Sequence, residues 1–253
     1  MNKRLRIFKI WVDPVDRKEA IRRVKNFLEK GRRPHAIFAV NPEKNFSVPK
    51  NKDLYEAFKK AELLIPDGIG IVLAARILHG IRIERVPGSE LIFDICKLAA
   101  ADNYKVYIYG ATEDVNKKAA EELTKRYPGL NIVGRTNGYV KASEMSDLID
   151  RINASKAEIL FIALGSPRQE KWYTEHKNRL QYVRVVQGIG GTLDTIVGTV
   201  KRAPKLWCKM QLEWLYRLIS EPRRIKRQKV LPVFAAMVFI AKIKQLISAE
   251  LTD

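Results

Sequence analysis

Seven short runs rich in β-branched and aromatic residues, at 6–12, 36–40, 63–65, 105–109, 131–133, 158–164 and 183–186, alternate with longer stretches of helical period. Parallel strands need a crossover long enough to hold a helix, so this alternation is the pattern of repeated βα units around one sheet. The chain is read as α/β, a Rossmann-like, mostly parallel sheet flanked by helices. One helix is expected over 17–30, where Ala20, Ile21, Val24, Phe27 and Leu28 form an apolar stripe that stops at Gly31. Another covers 112–127, with Thr112 placed to cap it, Glu113 and Asp114 in its first turn and Pro128-Gly129 to end it. Similar patterns cover 142–153 and 168–180. After Gly198 the character changes, and 204–220 and 223–251 read as helix only, parted at Glu221-Pro222. Residues 1–200 are expected to form the α/β domain and 201–253 a basic helical appendage.

The chain carries 47 Lys and Arg against 28 Asp and Glu, a formal net charge of +19. Solubility asks for far less, so a polyanionic partner is implied: nucleic acid, anionic lipid or a phosphate-rich substrate. From residue 201 onward twelve Lys or Arg stand against four Asp or Glu, which concentrates charge at one end. Cys96 and Cys208 both lie among apolar neighbours and read as free thiols in a reducing compartment. The first residues lack an apolar run of signal length, so a cytoplasmic location is expected. The longest uninterrupted apolar run, 230–241, contains Pro232. It is shorter than the roughly 20 residues that span a bilayer, so no transmembrane helix is expected.

In open α/β sheets ligands bind beyond the carboxyl ends of the strands, and here the loops at those ends are polar and specific. Asn41-Pro42-Glu43 serves either as a helix-capping turn or as a loop presenting Asn41 to a ligand hydroxyl or phosphate. Pro66-Asp67-Gly68-Ile69-Gly70 delivers a carboxylate into a tight turn whose glycines permit close approach. The helix that follows, 69–78, is almost wholly apolar and is expected to be buried. Asp67 beside it either caps the helix or acts as a general base. Arg85 ahead of Gly88-Ser89 is either a surface charge or a phosphate clamp at a helix start. Gly110-Ala111-Thr112 lacks the G-x-G-x-x-G spacing and precedes Glu113 and Asp114, so it suits a nucleoside edge better than a phosphate. Gly165-Ser166-Pro167-Arg168-Gln169 is either a Pro-initiated helix start or a turn aiming Gln169 at a ligand. Gly188-Ile189-Gly190-Gly191-Thr192-Leu193-Asp194 is either a glycine turn capped by Thr192 or a phosphate cradle of backbone N–H groups, with Asp194 reaching a ribose or sugar hydroxyl.

His35, His79 and His176 are scattered, and there is no H-E-x-x-H, no paired Cys and no Asp-x-Asp, so neither a metal site nor a cofactor is expected. Serine-hydrolase and P-loop signatures are missing as well.

Taken in order, Asn41-Pro42-Glu43, Pro66-Asp67-Gly68, Glu84-Arg85-Val86-x-Gly88, Gly165-Ser166-Pro167-x-Gln169-Glu170-Lys171, Gly188-x-Gly190-Gly191-Thr192 and Arg202-Ala203-Pro204, with Glu213-Trp214-x-x-Arg217 and Glu221-Pro222 beyond, resemble the WecG/TagA/CpsF glycosyltransferase family. The resemblance extends over about residues 36–227. It implies an inverting, metal-independent transferase that moves a sugar from a UDP-sugar donor to a polyprenyl-pyrophosphate-linked GlcNAc acceptor at the inner membrane face. The prototype sugar is N-acetylmannosamine, in wall teichoic acid synthesis. Relatives use its uronate or other sugars for surface polysaccharides, and glucose and glucuronate stay open as donors for exopolysaccharide. By position Asp67 matches the general base, and Asn41, Arg85 and Gln169 complete the implied catalytic set. Gly110, Ala111, Gly165, Gly188, Gly190, Gly191, Thr192 and Asp194 are the substrate contacts expected from their loops, and the resemblance adds Arg217, Arg224 and Arg227 of the appendage. One departure is Ala39, where relatives commonly carry Thr two residues before the Asn, which implies a lost hydroxyl contact to the sugar.

The cluster Arg223-Arg224-Ile225-Lys226-Arg227-Gln228-Lys229 precedes the apolar run. Each basic residue near an anionic leaflet contributes about 1 kcal/mol, so peripheral membrane attachment is expected. The alternative is a helix whose face of Val233, Phe234, Met237, Val238 and Ala241 packs on the core or on a partner subunit; a homo-oligomer is compatible with the sequence. Nucleic acid fits less well, because the basic residues are not interleaved with aromatics and no binding-module motif is present. Arg217, Arg224 and Arg227 are further expected to close over the site as a lid when the appendage docks on lipid.

Overall fold

A computed structural model describes residues 3–200, 203–210, 212–220 and 225–250. The expected strand at 6–12 is a hairpin instead: Phe8 takes a left-handed φ of 55°, and the run folds back as β1 (Leu5–Ile7) and β2 (Ile10–Val12). The turn leaves Ile7, Ile10 and Val12 all buried, which a single strand of period two would not do. Asp13, 4% exposed, fastens the hairpin to the sheet. Its carboxylate accepts from Leu64 N–H at 2.7 Å and pairs with Arg4 at 2.8 Å, so the buried charge is both hydrogen-bonded and neutralised.

The chain continues through α1 (Arg17–Lys30), β3 (His35–Val40), a short α2 (Lys44–Ser47), α3 (Lys52–Lys60), β4 (Leu63–Pro66), α4 (Ile69–His79), α5 (Gly88–Asp102), β5 (Lys105–Gly110), α6 (Glu113–Arg126), β6 (Asn131–Thr136), α7 (Met145–Ala154), β7 (Ile159–Ala163), α8 (Arg168–His176), β8 (Val185–Gly188) and α9 (Thr192–Ile196). The expected cap on α6 forms, Thr112 Oγ1 accepting from Val115 N–H at 3.3 Å. The helices expected at 142–153 and 168–180 are shorter and carry 3₁₀ turns at one end, Ala142–Glu144 and Lys177–Arg179.

Strands β3 to β8 form a six-stranded parallel sheet in the order β4-β3-β8-β7-β5-β6. Connections that step in opposite directions along the sheet place their right-handed crossovers on opposite faces. Hence α3, α7 and α8, together with the hairpin and α4, cover one face, and α1, α5, α6 and α9 the other. Alternate residues of a strand feed the two layers: Ala36, Phe38 and Val40 of β3 face the first, Ile37 the second. Phe38, Phe58 and Phe161 are at most 1% exposed, and each such side chain contributes about 1.5–3 kcal/mol by leaving water.

Two expectations for the C-terminal region are corrected. The single helix at 204–220 is two, α10 (Lys205–Lys209) and α11 (Glu213–Ser220). The stretch 223–251 contains α12 (Ile225–Gln228) and a long α13 (Val230–Glu250). Pro232 does not interrupt α13, because in the first helical turn its missing N–H has no intrahelical partner to lose. Val230–Ser248 is therefore a helix long and apolar enough to cross a membrane by length and composition, with only 11% of it buried. Counting the uninterrupted apolar run missed it, since Lys242 and Lys244 end the run but not the helix.

Candidate active site

The loops after β3 and β4 are stitched together. Asp67 N–H and Gly68 N–H both donate to Val40 O, at 3.0 and 3.2 Å. A Cβ on Gly68 would stand 2.9 Å from both Asn41 Cβ and Pro42 Cδ, so the two loops touch only because that residue is glycine. The close approach expected of this turn is thus made by the chain's own Asn41-Pro42 segment.

Asp67 is half-buried, and its Oδ1 accepts from Gly88 N–H at 2.9 Å, at the N-terminus of α5. The carboxylate therefore stands at the positive end of the α5 dipole. Arg85 Nε donates to the Asp67 carbonyl at 2.6 Å, and its Nη2 to Glu213 Oε2 of α11 at 2.9 Å. Glu213 is 5% exposed and Arg85 is largely sheltered, so this ion pair is screened little by water.

These groups line a cavity of about 460 Å³ at the carboxyl ends of β3 and β4. Asn41, Asp67, Arg85 and Glu213 form its polar end, while Leu73 and Ile77 of α4 and Leu231, Phe234 and Val238 of α13 form an apolar wall. The helix α4 is therefore not buried all round. Ile71, Ala74 and Ala75 pack inward, but Leu73 and Ile77 are 49% and 39% exposed on the cavity side. Phe234 and Val238 hold α13 against the domain, Phe234 meeting Phe8 edge-on at 5.8 Å.

Of the other sequence-derived residues, Gly110, Ala111, Gly165, Gln169, Gly188, Gly190, Gly191, Thr192 and Asp194 lie at neighbouring strand ends and do not line this cavity. Gln169 is buried, and its Oε1 accepts from Gly190 N–H at 3.0 Å, tying the β7 loop to the β8 loop. A Cβ on Gly188 would lie 2.5 Å from Gln169 Nε2, so Gly188 makes room for that strut. Thr192 does not cap α9; the N-cap is Gly191, and the Thr192 hydroxyl donates back to Ile189 O. Gly165 and Gly190 both adopt positive φ at open positions, and Gly191 faces Asp194 Oδ2. Gly110 O accepts from the fully buried Asn116 amide at 2.8 Å, and Ala111 N–H donates to Ala163 O at 3.0 Å. Arg224, Arg202 and Glu221-Pro222 lie outside the described residues, and so do the side chains of Arg217 and Arg227.

Sequence reasoning passed over several site groups. Lys44 pairs with the buried Glu170 at 3.2 Å and donates to Ser166 Oγ, joining the β3 and β7 loops. Glu170 lies inside one family motif and Lys44 directly after another, but a charge pair between loops 126 positions apart has no local signature. Glu213 also stood in a motif without a role. Among the described residues no three His, Cys, Asp or Glu side chains are grouped as a metal site.

A model of the glycosyl transferase WecG/TagA/CpsF family matches residues 5–248. The chain belongs to this family. It is 33% identical over 203 residues to the N-acetylglucosaminyldiphosphoundecaprenol N-acetyl-beta-D-mannosaminyltransferase of Bacillus subtilis, covering 80% of this chain and 78% of that protein. The likewise named protein of Staphylococcus aureus strain MRSA252 is 33% identical over 209 residues, 83% of this chain and 80% of its own length. Membership makes the chain a glycosyltransferase.

Proposed function

We propose that this glycosyltransferase moves a sugar, N-acetylmannosamine or a related one, from a UDP-sugar to a polyprenyl-diphosphate-linked N-acetylglucosamine, with inversion and without a metal. The observation that carries the reading is the two-part cavity, with a carboxylate, an arginine and an amide at one end and the apolar wall of α4 and α13 at the other. An acceptor with a sugar diphosphate on an isoprenoid chain has the same division. In the proposed reaction Asp67 takes the proton of the acceptor hydroxyl as that oxygen attacks the sugar carbon, and the bond to UDP breaks on the opposite side. Arg85 and the N-terminus of α5 stabilise the diphosphate charge, with Arg217, Arg224 and Arg227 as further cations. Asn41 orients a sugar hydroxyl. Gly110, Ala111, Gly165, Gly188, Gly190, Gly191 and Asp194 bound the donor nucleotide, with Gln169 and Thr192 holding the shape of their loops.

Residues from 201 onward are proposed to act as an appendage at the inner leaflet, where the exposed apolar face of α13 and the basic residues before it meet anionic lipid. The test is release of UDP from a donor panel of UDP-N-acetylmannosamine, its uronate, UDP-glucose and UDP-glucuronate. Release that depends on a polyprenyl-diphosphate-GlcNAc acceptor and persists in EDTA is expected. Release with no acceptor requirement would remove the reading.

A further inference from the structure

Two buried acceptors on the cavity wall, Asn41 Oδ1 and Gln228 Oε1, have no hydrogen-bond partner among the described residues. Gln228, at the end of α12, is 9% exposed, and its amide nitrogen donates to Trp214 O at 3.4 Å. That bond turns the amide oxygen away from Trp214. A buried carbonyl left without a donor is costly, so a native site keeps one where a ligand completes it. The missing partner must donate hydrogen bonds. A phosphate at neutral pH only accepts them, whereas a sugar presents several hydroxyls that donate.

We infer that Gln228 is a recognition residue for the sugar ring of the acceptor, its carbonyl taking a hydrogen bond from a ring hydroxyl or the acetamido N–H. This rests on the reading above and adds to it the side of the cavity on which the acceptor sugar lies. The acceptor is chosen over the donor by neighbourhood: Gln228 stands one turn before Leu231 and two before Phe234 and Ala235, which begin the apolar wall. A sugar held there leaves its lipid-linked end beside that wall, and Asn41 and Asp67 of the β3 and β4 loops line the same cavity.

The experiment pairs Gln228→Met, close in length and volume but with no acceptor, with Gln228→Glu, which keeps one. Both are assayed with the lipid-linked GlcNAc acceptor and with monodeoxy acceptor analogues, and melting temperature is recorded for each. With the Met variant the acceptor KM is expected to rise about fivefold to tenfold, the loss of a neutral hydrogen bond, with the donor KM unchanged. One analogue should lose the same factor with wild type and with the Glu variant, yet lose nothing further with the Met variant. An unchanged acceptor KM in the Met variant overturns the assignment, and so do losses that add for every analogue or fall on the donor KM. A wild-type enzyme that transfers no sugar to this acceptor would instead remove the proposed function itself.

Discussion

Replacing Asp67 by Asn keeps an oxygen to accept from Gly88 N–H but abolishes the basic lone pair, so geometry survives while proton uptake does not. Asp67→Asn is expected to lower kcat by about 10²–10⁴-fold with an unchanged melting temperature, and near-normal transfer would remove the base assignment. Gly68 tests placement rather than chemistry. An alanine there meets Asn41 Cα at 3.1 Å as well as two side-chain carbons, and backbone cannot swing aside. Displacing Asn41 from Asp67 by about 1 Å is expected to cost roughly 10²-fold in kcat/KM, which steady-state kinetics on Gly68→Ala would measure. Asn41, Asp67 and Arg85 were all legible in the sequence, because Asn41 and Asp67 sit in polar loops at strand ends and Arg85 just ahead of a glycine-led helix start. Gln228 and Glu213 were not legible as site residues, because on a helical stretch a polar residue usually faces water. Only the pairing of α11 with Arg85, and of α12 with α11, brings these two to a cavity.

At the scale of elements, α13 has two apolar faces with different fates. Phe234 and Val238 are buried against the domain, whereas Ile243, Leu246 and Ile247 are 41%, 53% and 52% exposed. Exposed apolar surface of that extent on one helix fits the proposed contact with lipid. Replacing Ile243 and Ile247 with Glu removes apolar area and adds charge without touching the packed face. Flotation on anionic liposomes is expected to fall several-fold while thermal stability stays within about 0.5 kcal/mol. Unchanged flotation would end the membrane role of this face. The sequence showed the helix and its apolar face of Phe234 and Val238 but not an apolar length sufficient to cross a bilayer, since Pro232 and two lysines read locally as interruptions. The hairpin at Phe8 escaped for a related reason: a turn made of Phe and Lys carries none of the usual turn residues.

For the whole molecule, acid should destabilise the fold in two stages. Burial against Trp172 lowers the pKa of His176 from its ordinary 6.5, so below that pH the unfolded chain takes up a proton that the folded chain refuses. Stability therefore falls as pH drops from about 6.5 toward the folded pKa. Glu19 acts in the same direction at lower pH. Arg22 and Arg23 hold its pKa down to about 2, so its contribution is complete above 4.5 and disappears only as pH falls through about 2. Melting curves between pH 7.5 and 5.5 are expected to show a decline that His176→Asn flattens; an equal decline in both proteins would discard this origin. From the sequence alone came the α/β class, the strands of the parallel sheet and the polar loops at their ends, because side-chain periods of 2 and 3.6 and turn chemistry are local properties. The strand order, the hairpin, the meeting of Arg85 with Glu213 across 128 positions and the path of α13 along α4 were decided by tertiary structure. Those pairings depend on which apolar faces fit together once water is excluded, and no local pattern specifies the partner of a face.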